Sequence, residues 1–335
     1  MSAITGFKDR GEKMHHTFYL GDVRQCLQAM PAESVHCIVT SPPYWGLRDY
    51  GVDGQLGLEQ SPFEYINNLV EVFREVWRVL RDDGTLWLNL GDSYASREGI
   101  AQPHRDGSGS IGKKGTRGMQ GYSAAGGGFI KPSAINNGLK PKDLIGIPWR
   151  VALALQADGW YLRSDIVWYK PNAMPESVTD RPSKAHEYIF LFSKSERYYY
   201  DHEAIKEVAV SGDPNPPRGS SGVVGASLNK GRRKQDEVKK RTYTGFNERY
   251  QPVEKRNKRT VWDIPTEPFA GAHFATFPTE LVKPCVLAGC PKGGTVMDIF
   301  GGSGTVSLVA QALQRNSVYI DLNPEYLKIA IDRNG

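Results

Sequence analysis

The stretch GGTVMDIFGGSGTVSLVAQALQRNSVYIDLNPEYLKIAIDR, 293–333, constrains the fold of this chain more than any other part of it. Thr295 to Ile299 is a short apolar run bounded by turn residues, the pattern of a buried strand, and it stops at Phe300-Gly301-Gly302-Ser303-Gly304. A helical pattern begins at about Thr305, a second apolar run ends in Asp321, and a further helix follows. Strand, glycine turn, helix and strand in that order form a βαβ unit, which places the chain among α/β folds with a parallel sheet.

The glycines at the first strand–helix junction let a ligand approach the backbone and leave helix N-terminal N–H groups pointing at it. Asp321 ends the next strand, seventeen residues beyond Gly304, where a carboxylate can accept hydrogen bonds from ribose hydroxyls. Together they point to an adenosine-containing cofactor. A nicotinamide site would favour the fuller Gly-x-Gly-x-x-Gly pattern, whereas Ser307 stands at the third position here. Asp298, just before the turn, would repel a pyrophosphate but can face the ammonium of S-adenosylmethionine, directly or through water. A methyl donor is therefore preferred to NAD.

Near the other end, His36-Cys37-Ile38-Val39-Thr40 reads as a buried strand and is cut off by Ser41-Pro42-Pro43-Tyr44-Trp45. Two consecutive prolines make a stiff turn, since each fixes φ and lacks an N–H. Stiffness does not explain two large aromatics on a loop at the carboxyl end of a strand, where open α/β sheets bind ligands. The prolines hold carbonyls outward without competing donors, so the Pro42 carbonyl and the Ser41 hydroxyl can accept hydrogen bonds from an exocyclic amine. Such a nitrogen is a poor nucleophile because its lone pair is delocalised into the ring. Two acceptors favour a more tetrahedral nitrogen that can attack a methyl sulfonium in line. Tyr44 then stacks on a base that has left its duplex. Trp45 either lines the same pocket or packs the loop, and 46–51 reads as a mobile flank from which Arg48 could reach DNA.

Between these ends the expected elements are a strand over Thr17 to Asp22, a helix over Val23 to Met30, a helix from Ser61 to Leu80 ending in RDDG, and a strand from Thr85 to Leu90. A helix near Ile147 to Asp158, strands at YLRSDIVWYKP and His186 to Ser195, and a helix from Thr279 to Ala288 complete the pass. Residues 94–140 are rich in Gly and Ser without apolar periodicity and read as a mobile insertion. The net charge of +5 is unevenly placed: from Lys206 to Arg259 there are fourteen Lys/Arg against six Asp/Glu, 14 − 6 = +8, leaving 5 − 8 = −3 elsewhere. Concentrated cations favour a polyanion such as nucleic acid through counterion release. No apolar run is long enough to cross a bilayer and no charged leader precedes one, so a soluble, cytoplasmic protein is expected. The four cysteines, Cys26, Cys37, Cys285 and Cys290, have no ligand spacing, so reduced buried thiols and no metal site are expected.

TSPPYW followed far downstream by DIFGGSGT and YIDLNPEY resembles the amino-methylating DNA methyltransferases in their circularly permuted β arrangement, with the catalytic loop before the cofactor loop. The resemblance covers nearly the whole chain. It implies a class I S-adenosylmethionine-dependent methyltransferase fold, an α/β doubly wound, mostly parallel seven-stranded sheet with loop insertions. Ser41, Pro42, Pro43 and Tyr44 match the catalytic loop; Asp298, Phe300, Gly302 and Gly304 match the cofactor loop, and Asp321 the ribose-binding acid. LGDVRQCL implies that Asp22 contacts the adenine, and HFATFPTELV implicates Phe277, Pro278 and Thr279 at the methionine end. DIVWYKPNAMPES and RPSKAHEYIFLFSKS resemble the segment lining the base pocket and a following strand. The family more often has Asp-Pro-Phe where this chain has Asp298-Ile299-Phe300, and His-Pro where it has His273-Phe274; neither departure removes a polar ligand.

The family places its target-recognition region where the basic stretch lies. The implied organisation is an N-terminal arm 1–15, a catalytic part 16–205, a target-recognition region 206–261 and a cofactor-binding part 262–335. Arg232, Arg233, Lys234, Lys239, Lys240 and Arg241 are expected to contact DNA, and Lys113, Lys114 and Arg117 of the glycine-rich insertion are candidates for phosphate contacts. The implied partner is double-stranded DNA, and the resemblance admits a homodimer and a cognate restriction endonuclease. Serine rather than aspartate at position 41 resembles the cytosine N4 branch more than the adenine N6 branch. Both bases carry an exocyclic amine beside a ring nitrogen, so the hydrogen bonding alone leaves either open. An RNA or protein-amide methyltransferase would share both loops without calling for so basic a segment.

Overall fold

The computed structural model describes residues 14–95, 138–209, 255–267 and 277–335, and the main chain of 2–5. The chain divides into two compact units, Met1–Ala204 with Arg259–Gly335, and Ile205–Lys258. Its strands are β1 (Ser2–Thr5), β2 (His16–Leu20), β3 (Val35–Thr40), β4 (Leu80–Leu90), β5 (Tyr161–Tyr169), β6 (His186–Ser193), β7 (Glu207–Val208), β8 (Lys255–Arg256), β9 (Val261–Asp263), β10 (Thr295–Asp298) and β11 (Asn316–Asp321). The helices are α1 (Val23–Gln28), α2 (Pro62–Val79), α3 (Ile147–Ala157), α4 (Thr279–Gly289), α5 (Thr305–Ala312) and α6 (Pro324–Asn334).

In the first unit one sheet runs in the order β1-β2-β11-β10-β3-β4-β6-β5-β9. The strands β2, β11, β10, β3 and β4 are mutually parallel, and β6 lies antiparallel between β4 and β5. The sheet is doubly wound and mostly parallel as expected, but it has nine strands rather than seven. The arm supplies β1 against β2, and the residues after the basic stretch supply β9 against β5, so each satisfies an otherwise open edge. In the second unit, β7 and β8 pair antiparallel and Arg256 bonds Glu207 at 2.8 Å. The six cations between Arg232 and Arg241, and Lys113, Lys114 and Arg117, lie outside the described residues.

Helices α1, α2 and α3 cover one face, where Cys26, Leu27, Leu69, Phe73 and Val151 pack with Ile38, Leu86, Leu88, Phe190 and Met297. The intervening strand residues point the other way: Cys37 and Thr85 meet α4 at Cys285 and Gly289, and Tyr319 meets α6 at Leu327 and Ala330. Apart from the irregularity at Val35–Cys37, this alternation is what a sheet covered on both faces requires. In α2, Tyr65, Leu69, Val72, Phe73 and Val76 are fully buried at helical spacing, each contributing about 1.5–3 kcal/mol of burial. Ser61 caps α2 by accepting from the Glu64 N–H, with Pro62 at the first helical position.

β4 departs from expectation. It begins at Leu80, directly after α2, because Leu80 is fully buried and pairs with Val35, while Cys37 pairs with Thr85. The residues of RDDG are accommodated as an irregularity in the strand rather than as a helix end.

Candidate active site

The strand order puts β10, from the C-terminal βαβ unit, directly beside β3. On one side the sheet continues through β11 to β2, on the other through β4, so the junction of β3 and β10 is where the winding reverses, and open α/β sheets bind ligands there. Thr40 at the end of β3 donates from Oγ1 to Asp298 Oδ1 at 2.7 Å, and both residues are buried. This bond ties the strand carrying Ser41 to the strand carrying the acid before the glycine turn.

Asp298 Oδ1 also accepts the Phe300 N–H at 3.1 Å. Burial pushes its carboxyl up to about 7, against the lowering effect of Thr40 and the Phe300 N–H and with a further push from the Asp321 carboxylate. Asp321 accepts from the Gly302 N–H at 2.8 Å and the Asn323 N–H at 2.8 Å, and burial raises it to about 6. The turn between them is braced from beneath. A Cβ at Gly301 would lie 2.2 Å from the Tyr319 ring, so only glycine fits there, and Tyr319 Oη donates to the Gly302 carbonyl at 2.8 Å. Gly304 has φ +76 and heads α5, and Arg333 reaches the Ser303 carbonyl at 2.9 Å and Ser303 Oγ at 2.7 Å. Asp22 stands at the end of β2, where the Gly21 N–H bonds the Asp321 carbonyl at 3.0 Å. Its Oδ1 caps α1 through the Arg24 and Gln25 N–H groups.

The residues fit S-adenosylmethionine. Two carboxyls held above their ordinary range by burial are stabilised as anions by an incoming cation and incoming hydroxyls. The Tyr319 ring packed against Gly301 holds the turn in place from beneath, and a carboxylate bonded to two N–H groups still has lone pairs for ribose. Phe277 and Pro278 precede α4; Thr279, its first residue, donates from Oγ1 to Glu267 at 3.2 Å.

The Ser-Pro-Pro-Tyr loop is fixed from several sides. Tyr65 of α2 donates to the Pro43 carbonyl at 2.8 Å. Ser41 Oγ donates to Tyr44 Oη at 3.3 Å, and Tyr44 Oη donates to Glu187 Oε2 at 2.8 Å, with Asn89 Oδ1 at 3.2 Å. Burial, and then the Glu187 carboxylate, push the Tyr44 phenol well above its usual range, so it stays protonated. A Cβ at Gly91 would stand 2.5 Å from Cε2 of Tyr44, so the ring position requires glycine there.

Of the two readings left open for Trp45, the structure takes the second: it packs the loop, is 2% exposed, and its Nε1 donates to the Glu59 carbonyl at 2.9 Å. The expectation of a mobile flank is corrected. The 46–51 flank is held by hydrogen bonds: Gly46 N–H to the Gly57 carbonyl at 2.8 Å, and Tyr50 N–H to Gln55 Oε1 at 2.6 Å. The anchors are the buried Trp45 and the Glu59 side chain, which accepts from the Gly57 N–H at 2.8 Å and from Asn68 at 3.1 Å.

Several groups at the site escape the sequence reading. Asn89 stands in β4 between Leu88 and Leu90, a polar residue in an otherwise apolar run, and that interruption is the signal that could have found it. Its Nδ2 donates to Glu187 Oε2 at 3.2 Å and to the Tyr188 carbonyl at 3.1 Å. Glu187 also pairs with Lys170, whose ammonium lies 4.1 Å from the Trp168 ring centroid. Asp92 accepts the Gly146 and Ile147 N–H groups at 3.0 and 3.1 Å, and its carbonyl accepts from Lys184 at 2.8 Å. The β5–β6 connection is folded by an Arg181–Glu176 pair at 2.6 Å and by Arg181 3.7 Å above Tyr94.

Residues 35–332 match the DNA methylase family. The chain is 49% identical over 317 residues to the Type II methyltransferase M.Cfr9I of Citrobacter freundii, covering 95% of this chain and 87% of that one. It is 46% identical over 314 residues to the Type II methyltransferase M.SmaI of Serratia marcescens, covering 94% and 89%. The fold is similar to that of PvuII DNA methyltransferase (cytosine-N4-specific), with a TM-score of 0.58 at 19% identity over 95% of this chain and 86% of that one. It is also similar to a Thermus thermophilus protein solved with S-adenosyl-L-methionine, with a TM-score of 0.52 at 22% identity over 95% and 93%. No helix among the described residues is long and apolar enough to cross a membrane. With the glycine turn and its two acids set beside the Ser-Pro-Pro-Tyr loop, the chain belongs to the DNA methylase family, the amino-methylating DNA methyltransferases that use S-adenosylmethionine.

Proposed function

We propose that the protein methylates the exocyclic N4 of cytosine within a specific duplex DNA sequence, as the modification partner of a Type II restriction endonuclease. The observation that carries the reading is the 2.7 Å bond from Thr40 to Asp298, which sets the Ser41 loop against the acid of the glycine turn. Bound S-adenosylmethionine supplies a methyl group activated on a sulfonium. Asp298 faces its ammonium, Asp321 its ribose and Asp22 its adenine, with Phe300, Gly302 and Gly304 shaping the turn and Phe277, Pro278 and Thr279 at the methionine end. The Pro42 carbonyl and the Ser41 hydroxyl accept from the target amine. Ser41 is free to do so because its own proton is directed to Tyr44. Pro43 stiffens the loop and holds it to α2 through Tyr65, and the Tyr44 ring stacks on the base.

Serine at position 41 favours cytosine, the base named for the PvuII enzyme of similar fold. The two relatives described above are both Type II methyltransferases, which supports sequence-specific modification. The basic region 206–261 reads the target, with Arg232, Arg233, Lys234, Lys239, Lys240 and Arg241 on the DNA; much of it falls within the separate unit Ile205–Lys258. Digesting methylated duplex DNA to nucleosides and separating them by mass spectrometry tests the base. N4-methyl-2′-deoxycytidine is expected, and N6-methyl-2′-deoxyadenosine in its place overturns the cytosine assignment.

A further inference from the structure

An exocyclic amine that gains a methyl group must lose a proton. The N–C bond forms as the sulfur–carbon bond of the donor breaks, and the charge leaves the sulfur for the nitrogen. A neutral secondary amine results only when one N–H proton departs. The two groups assigned to hold the amine are poor final acceptors, since neither a serine hydroxyl nor a proline carbonyl retains a proton near neutral pH.

The structure supplies a continuation. From Ser41 Oγ a hydrogen bond runs to Tyr44 Oη at 3.3 Å, and from Tyr44 Oη a second runs to Glu187 Oε2 at 2.8 Å. The two bonds run in series from Ser41 and end on a carboxylate. Asn89 Oδ1 also lies 3.2 Å from Tyr44 Oη, but an amide oxygen does not take a proton at neutral pH, so Asn89 orients the hydroxyl. Lys170 pairs with the other oxygen of Glu187, and Asn89 Nδ2 donates to Oε2, which together fix the carboxylate toward Tyr44. Burial keeps the Tyr44 phenol from ionising, so it passes a proton only by taking one as it gives one.

We propose that Glu187, a residue that does not touch the substrate, is the terminal proton acceptor of the reaction, reached through the hydroxyls of Ser41 and Tyr44. The amine proton moves to Ser41 Oγ, the Ser41 proton to Tyr44 Oη and the Tyr44 proton to Glu187 Oε2. The products are a neutral methylated amine, a neutral thioether and a protonated Glu187 that releases its proton to solvent. The inference rests on the assignment of Ser41 as an acceptor of the amine hydrogen. It gives the Tyr44 hydroxyl a role that stacking alone would not require.

The test is the single-turnover methylation rate of the enzyme with saturating S-adenosylmethionine and duplex DNA, measured for the wild type, Glu187→Gln, Tyr44→Phe and the double variant. Glu187→Gln is expected to slow the rate about a hundredfold. Calorimetric affinity for S-adenosylmethionine and anisotropy-measured affinity for DNA should stay within about twofold, which also establishes that the variants fold. Tyr44→Phe, which keeps the ring, should show a similar loss, and the double variant no further loss, because both remove one chain. The idea is overturned by a wild-type rate in Glu187→Gln, by a loss accounted for by weaker DNA binding, or by additive losses. The wild type separates the relay from the functional reading. If it forms no methylated base the reading itself fails, whereas equal rates in wild type and Glu187→Gln defeat the relay alone.

Discussion

Among single residues, Asp298 carries the sharpest consequence. Burial raises its carboxyl from the usual 3.8 to about 7, and that of Asp321 from 3.8 to about 6. The folded protein therefore binds more protons than the unfolded chain between about pH 4 and 7. The stability of the cofactor-free protein accordingly falls as pH rises through that window and levels off above it. Cofactor binding runs the other way, because only the ionised carboxylate attracts the ammonium. The affinity for S-adenosylmethionine should rise between about pH 5.5 and 8 by calorimetry. Asp298→Asn should flatten that rise and weaken binding at least about tenfold at the alkaline end of the range. A variant that kept the full pH slope would remove Asp298 from the ammonium. The acid was legible in the sequence because it precedes a glycine turn. Its partner Thr40 was not, because the two stand 258 positions apart.

Among the elements, α3 shows how a loop residue completes a helix made elsewhere. Its N-cap residue Gly146 has φ +78 and no side chain to cap with, so Asp92 bonds the Gly146 and Ile147 N–H groups instead. Asp92→Ala should cost about 2 kcal/mol, read as a lower urea midpoint with an unchanged slope. A midpoint equal to that of the wild type would show that solvent replaces the cap. Local signals gave the extent of α2 to within two residues, since Ser61 and Pro62 are neighbours in the chain. The capping of α3 depends on residues 54 positions apart and left no such mark. The start of β4 was misjudged for a related reason. RDDG has the composition of a turn, but the burial of Leu80 against Val35 carries the strand through it.

For the molecule as a whole, the uneven charge carries a prediction of its own. Replacing Arg232, Arg233, Lys234, Lys239, Lys240 and Arg241 with glutamine should flatten the dependence of log DNA affinity on log salt by about 0.9 for each phosphate no longer neutralised. S-adenosylmethionine affinity should not change. An unaltered salt slope would detach the basic segment from DNA. The βαβ unit, the glycine turn with its acids, the stiff Ser-Pro-Pro-Tyr loop and the charge asymmetry were all legible before any folding, because each is written in adjacent residues and short-range sterics. It took the folded chain to show that β10 lies against β3, that Trp45 is buried while the Tyr44 hydroxyl meets Glu187, and that two further strands extend the sheet at its ends. Those outcomes depend on contacts between segments distant in the chain, where burial and hydrogen-bond satisfaction across the whole sheet outweigh local preference.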